Sequence, residues 1–106
     1  MRVLFDQGTP VPLRQALPQH SVETAFERGW STLANGALLA AAEADGFDVM
    51  VTTDLNLQYQ QRLAERAIAI VVLSTTSWPR IRAATEDVVR AIDASAASRY
   101  VEVRIP

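Results

Sequence analysis

The sequence predicts an α/β fold around a mostly parallel five-stranded sheet, and three observations lead to it. Apolar runs at residues 3–5, 49–51 and 68–73 are continuous rather than alternating, as in strands covered on both faces. The segments between them carry helical spacing or helix-start signals, so strand and helix alternate from end to end. Right-handed crossovers then restrict the topology, and a flavodoxin-like strand order of 2-1-3-4-5 sets the first and third strands side by side. The expected architecture is a three-layer α/β/α sandwich, with one domain spanning residues 1–106.

The elements follow in order. Residues 2–5 make a central strand, and Asp6-Gln7-Gly8-Thr9-Pro10 makes a turn. Thr9 is placed as an N-cap with Pro10 at the first helical position, and a short helix runs to Leu17, before Pro18. Residues 20–25 read as the second strand and residues 27–34 as irregular. Asn35 caps a helix of alanine and leucine that stops at Gly46. The third strand covers 48–52. The next helix, over 55–66, places Leu55, Tyr59 and Leu63 on one face. The fourth strand is 68–73. A polar turn at 74–79 leads to a long last helix ending near Asp93, with Ile81, Ala84, Val88 and Ile92 as its buried stripe. Residues 100–105 alternate, Val101, Val103 and Ile105 inward, which suits an edge strand.

Composition narrows the chemistry. At 106 residues the chain can bury one core but not two. It has no cysteine, which excludes disulfides, thiolate metal sites and thiol catalysis. The single His20 excludes multi-histidine zinc chemistry, and its place at a strand start reads as structural. No apolar run reaches the roughly 20 residues that span a bilayer, and no signal pattern opens the sequence, so a cytoplasmic protein without a membrane partner is expected. The net charge of −2 argues against a generally basic nucleic-acid binder.

Two strands end at an aspartate. Asp6 follows Val3-Leu4-Phe5, and Asp54 follows the run that closes at Thr52. Ligands of open parallel sheets collect outside the carboxyl ends of the strands, so strands one and three as neighbours would bring both carboxylates to one mouth. Each of Asp54 and Asn35 also sits where an N-cap belongs. Asp6 is less easily read that way, since Thr9 caps the first helix. Near the start of the last helix, Arg80 and Arg82 with Thr75, Thr76 and the Ser77 hydroxyl could hold a phosphate, and Trp78 could stack on a base or pack at the sheet end. Trp30, Arg28 and Ser31 lie close to the expected mouth, with Trp30 read as a core plug.

The segments LFDQG (4–8), NGALL (35–39) and VTTDLNL (51–57) resemble the short PIN-like domains of unknown function, relatives of the ribonuclease toxins of bacterial toxin–antitoxin pairs. The resemblance extends from Met1 to about Ser74. It implies an α/β/α nuclease fold in which carboxylates hold Mg²⁺ or Mn²⁺ and single-stranded RNA is cut. On this chain Asp6 and Asp54 would be the metal-binding and catalytic pair, with Gln7, Asn35 and Asn56 as a supporting polar shell. Those three positions usually carry carboxylates in such relatives. Mg²⁺ is often held by one or two carboxylates plus substrate phosphates, so a weak single-metal site is expected, whereas a two-metal site needs more charge. The resemblance also implies a cognate antitoxin and a homodimer. The alternative is a catalytically inactive PIN-like binding or interaction module. A receiver-like domain is excluded by the lack of lysine, and a nucleotide-binding domain is weakened by the lack of a glycine-rich phosphate loop.

Overall fold

The computed structural model describes residues 1–60 and 62–106. Strands β1 (Arg2–Phe5), β2 (Ser21–Thr24), β3 (Val49–Thr52), β4 (Ala69–Leu73) and β5 (Tyr100–Val103) form one sheet in the order β2-β1-β3-β4-β5. All neighbours are parallel. Val3 faces Val22 on one side and Val49 on the other, and Val51 faces Val71. This is the expected order, and every residue of β3 and β4 is buried, as their unbroken apolar runs require.

Because side chains alternate along a strand, the sheet feeds two cores. Phe5, Val51, Val71 and Leu73 join one, against Leu13 of a 3₁₀ segment (Val11–Ala16) and Ile81, Val88 and Ile92. Those last three belong to α3 (Trp78–Ala83) and α4 (Thr85–Ser98). Leu4, Met50, Ile70 and Val72 join the other core, against Leu38 and Leu39 of α1 (Asn35–Ala44) and Leu57 of α2 (Leu57–Gln60).

The crossovers do not all share one hand. The β1–β2 connection crosses the first face toward the β2 edge. The β2–β3 and β3–β4 connections place their apolar residues on the second face and run toward β5, which is the same hand. The β4–β5 connection also runs toward β5, but over the first face, so its hand is opposite. Strand twist favours the right hand in about 98% of such units, and a uniform set of right-handed crossovers is therefore not adopted. Coverage supplies the reason. Without α3 and α4, the first face would have only the six-residue Val11–Ala16 segment over it, and Val71, Leu73 and Val103 would lose the side chains that bury them.

Several elements differ from expectation. Thr9 does not cap the first helix: Pro10 takes that position without a side-chain bond, and the segment is 3₁₀. Asn35 is the first residue of α1 rather than its cap, which is Ala34. The helix expected over 55–66 includes residue 61, which lies outside the described residues. Around it stand only the four-residue α2 and a 3₁₀ turn at Leu63–Glu65. The apolar stripe also shifts: Leu57 is buried, whereas Leu55 and Tyr59 are exposed. The Asp54 carboxylate accepts the Asn56 N–H at 2.9 Å, and this local turn replaces a regular helix start. The long last helix breaks at Ala84, where the Thr85 hydroxyl donates to the Arg82 carbonyl at 2.7 Å. It then continues past Asp93 to Ser98 and ends at Arg99, whose φ of 67° and ψ of −37° turn the chain out of the helix.

At the amino end of the sheet, Arg2 donates to Asp45 at 2.8 Å and to Glu23 at 3.2 Å and lies 4.2 Å over the Phe47 ring. Arg28 pairs with the same Asp45 oxygen at 2.8 Å and lies over Trp30, whose ring meets Phe47 edge-on at 6.1 Å. Trp30 is thus a plug, and Arg28 is occupied in holding it. His20 has partners that its sequence position does not reveal: Nε2 lies 2.8 Å from an Asp93 oxygen, and Nδ1 lies 3.2 Å from the Met1 nitrogen.

The packing makes α4 essential to the first core. Ile92→Ala is expected to cost about 2–5 kcal/mol in a urea unfolding titration. Arg90→Ala, at a solvent-exposed position on the same helix, should cost under about 0.5 kcal/mol.

Candidate functional site

The carboxyl ends of β1 and β3 are adjacent, and the polar residues that follow them form one hydrogen-bonded chain. The Thr52 hydroxyl donates to Asp6 Oδ2. The Thr52 hydroxyl oxygen in turn accepts the Asp54 backbone N–H at 3.1 Å. Asp6 Oδ1 accepts the Gly8 N–H at 3.1 Å and lies 2.8 Å from the Thr9 hydroxyl. That hydroxyl is also 2.9 Å from the Val51 carbonyl, and with one hydrogen it can donate to only one of the two at a time. Asp54 Oδ2 accepts the Asn35 side-chain amide at 2.8 Å, while Oδ1 accepts the Asn56 N–H.

Asp6, Asn35, Asp54 and Asn56 therefore meet at one mouth, as strand order and spacing predict. The residue that joins them is Thr52, which sequence reasoning left inside a strand. Its signal is a hydroxyl at the last position of an otherwise apolar run. Gly8 is needed for a steric reason: a Cβ there would lie 2.3 Å from the Thr53 hydroxyl oxygen. Burial pushes the Asp6 carboxyl above the ordinary carboxylate range, outweighing the hydrogen bonds from Thr52, Thr9 and Gly8, which pull it down.

Gln7 turns away from this chain, and its amide donates to the Ser31 carbonyl at 2.6 Å. This bond divides the mouth into two hollows that share Asp6, Gln7 and Ser31. The smaller, about 140 Å³, is lined on the α1 side by Asn35, Trp30 and Leu38. The larger, about 570 Å³, opens on the opposite side between Val11 and Arg14 of the 3₁₀ segment and Phe26 and Glu27 of the turn after β2. Arg14 and Glu27 pair across it at 2.5 and 3.2 Å. Arg14 Nε, buried beside this pair, has no acceptor among the described residues.

The residues expected to hold a phosphate do not join this mouth. Arg80 donates to the carbonyls of Pro106 at 2.8 Å and Ile105 at 2.9 Å, so it ties down the segment after β5. Arg82 borders a separate hollow of about 380 Å³ shared with Glu86 and Asp87. The Thr75 hydroxyl accepts the Ser77 N–H at 3.1 Å, and Thr76 is solvent-exposed. Trp78 packs against the first core, which is its sheet-end reading.

A divalent ion fits this donor set poorly. Mg²⁺ requires free oxygen lone pairs. Hydrogen bonds reach the two carboxylates from two hydroxyls, an amide NH₂ and backbone N–H groups. Among the described residues no three His, Cys, Asp or Glu side chains stand where they could share an ion. Neutral hydrogen-bond donors thus hold both carboxylates in this structure.

No family model, curated protein or solved structure matches this chain. No helix among the described residues is long and apolar enough to cross a membrane.

The Thr52 hydroxyl is satisfied on both sides, and its loss would orphan an acceptor and a donor together. Thr52→Val, which keeps the shape, should cost about 1–3 kcal/mol in chemical denaturation. A value near zero would mean that water replaces the hydroxyl.

Proposed function

We propose that the chain is a short PIN-like domain, a three-layer α/β/α member of the toxin–antitoxin type, whose acidic site is retained in shape and no longer serves metal-dependent RNA cleavage. In this reading it acts as a binding or interaction module. The observation that carries it is the Asp6–Thr52–Asp54–Asn35 hydrogen-bonded chain. It joins the positions that the resemblance pairs at one site and ties both carboxylates to neutral groups of the chain. The amides support the same reading. Asn35 contributes an NH₂ to Asp54, and Gln7 contributes one to the Ser31 carbonyl; a carboxylate could do neither.

The second reading is an active Mg²⁺- or Mn²⁺-dependent endoribonuclease with Asp6 and Asp54 as the metal pair. It is favoured by the meeting of these two aspartates at the switch point of the sheet, the common ligand position of such folds. Against it stands the engagement of Arg80, the residue expected to steady a phosphate, with the Ile105 and Pro106 carbonyls. The dimer and the cognate antitoxin belong to either reading and rest on the resemblance alone.

Calorimetry with Mn²⁺ on wild type, Asp6→Asn and Asp54→Asn separates the two, run beside a ribonuclease assay on a short single-stranded RNA. The inactive module gives no saturable heat and no metal-dependent cleavage. Mn²⁺ binding that both substitutions abolish, with cleavage lost in parallel, would establish the nuclease.

A further inference from the structure

The larger hollow at the mouth has features that the acidic pair does not explain. Phe26 is 78% exposed and Val11 54% exposed, two large apolar side chains facing one cleft. Phe26 is not on a loose loop. Its turn closes through Trp30 N–H to the Ala25 carbonyl at 2.8 Å and Gly29 N–H to the Phe26 carbonyl at 3.0 Å. Thr24 and Glu27 cap it reciprocally: Thr24 N–H donates to the Glu27 carboxylate at 2.9 Å, and Glu27 N–H to the Thr24 hydroxyl at 3.1 Å. An aromatic ring held in water by a doubly tied turn is preorganised for a partner surface.

The cleft also offers no uncompensated positive charge, since its lining carries Asp6 and Glu27 against one arginine. Its one cation, Arg14, spends its charge on Glu27, so an anionic group entering would meet no free positive charge. Polar specificity is available at one wall. The Gln7 side-chain oxygen and the Ser31 hydroxyl have no hydrogen bond within the described protein, while the Gln7 amide nitrogen is fixed to the Ser31 carbonyl and so fixes that oxygen's direction. At about 570 Å³ the volume falls in the range of small-molecule sites.

We infer that this cleft binds an uncharged planar heterocycle of the nucleobase class, stacked on Phe26 with its polar edge toward Gln7 and Ser31. The site stands on the β1–β2 side of the mouth, shares Asp6 with the acidic pair, and does not depend on Asp54 or on the PIN-like reading. Stacking on an aromatic side chain is tolerant of the base, whereas an amide wall reads its edge.

The test uses the full chain, the four ribonucleosides and their 5′-monophosphates, followed by amide chemical-shift changes and calorimetry. At least one nucleoside should bind saturably and shift Phe26, Ser31 and Gln7. Phe26→Ala, at an exposed position where folding is unaffected, should weaken binding about fivefold or more. Asp54→Asn should leave binding unchanged, and the 5′-phosphate should not strengthen it, since the one cation of the cleft is paired and Asp6 lines the wall. Three results overturn the inference: no saturable shift with any nucleoside, binding indifferent to Phe26→Ala, or binding that requires the phosphate. Concentration-dependent self-association that covers Phe26 in the absence of nucleoside would also overturn it, assigning the cleft to a second copy of the chain.

Discussion

The constraint from which most of this structure follows is that β1, β3 and β4 are buried on both faces. A strand with no wet side cannot carry charge along its length, because an unpaired buried charge is far too costly. Charge is therefore admitted only where strands end. Asp6 and Asp54 stand at two such ends, and they are tolerated there because Thr52, Thr9, Gly8, Asn35 and Asn56 supply hydrogen bonds. The same constraint places helices over both faces, and it overrides the usual crossover hand where α3 and α4 are needed above Val71 and Leu73.

Charge satisfied by neutral donors behaves differently from charge satisfied by cations. A carboxylate beside arginine is held low in pKa. Asp6 instead has a raised one, since burial dominates and no positive group reaches it. Four arginines are engaged elsewhere: Arg2 and Arg28 in the clasp around Asp45, Arg14 with Glu27, and Arg80 with the carbonyls after β5. The mouth is consequently polar but poor in mobile charge. That suits recognition through hydrogen bonds and stacking better than electrostatic capture of a phosphate chain.

Much of the fold was legible because burial leaves a pattern. Unbroken apolar runs marked β3 and β4, and alternation marked β5. The order 2-1-3-4-5 matched the flavodoxin-like arrangement expected of alternating strands and helices. What escaped was decided by contacts remote in sequence. Leu55, Tyr59 and Leu63 have helical spacing, but the Asx turn at Asp54 moves the helix start to Leu57, which became the buried residue. His20 gave no hint of Asp93, which lies 73 positions away. At the site, Asp6, Asn35 and Asp54 could be placed from strand ends and resemblance. Thr52 as their junction, Gln7 as a latch on Ser31 and Phe26 as an exposed ring could not, because each role depends on a partner that strand pairing brings close. The opposite hand of the last crossover was hidden for the same reason, since it depends on which face already has cover.

The central claim is that neutral donors hold the two aspartates in place of a metal. The most direct measurement is a pH titration of the Asp6 carboxyl carbon by ¹³C NMR, with and without saturating Mg²⁺. The account predicts a midpoint above the ordinary carboxylate value of about 4 that Mg²⁺ leaves in place. A midpoint at or below that value, or one that Mg²⁺ drives downward, would contradict it and restore the aspartate pair as a metal site.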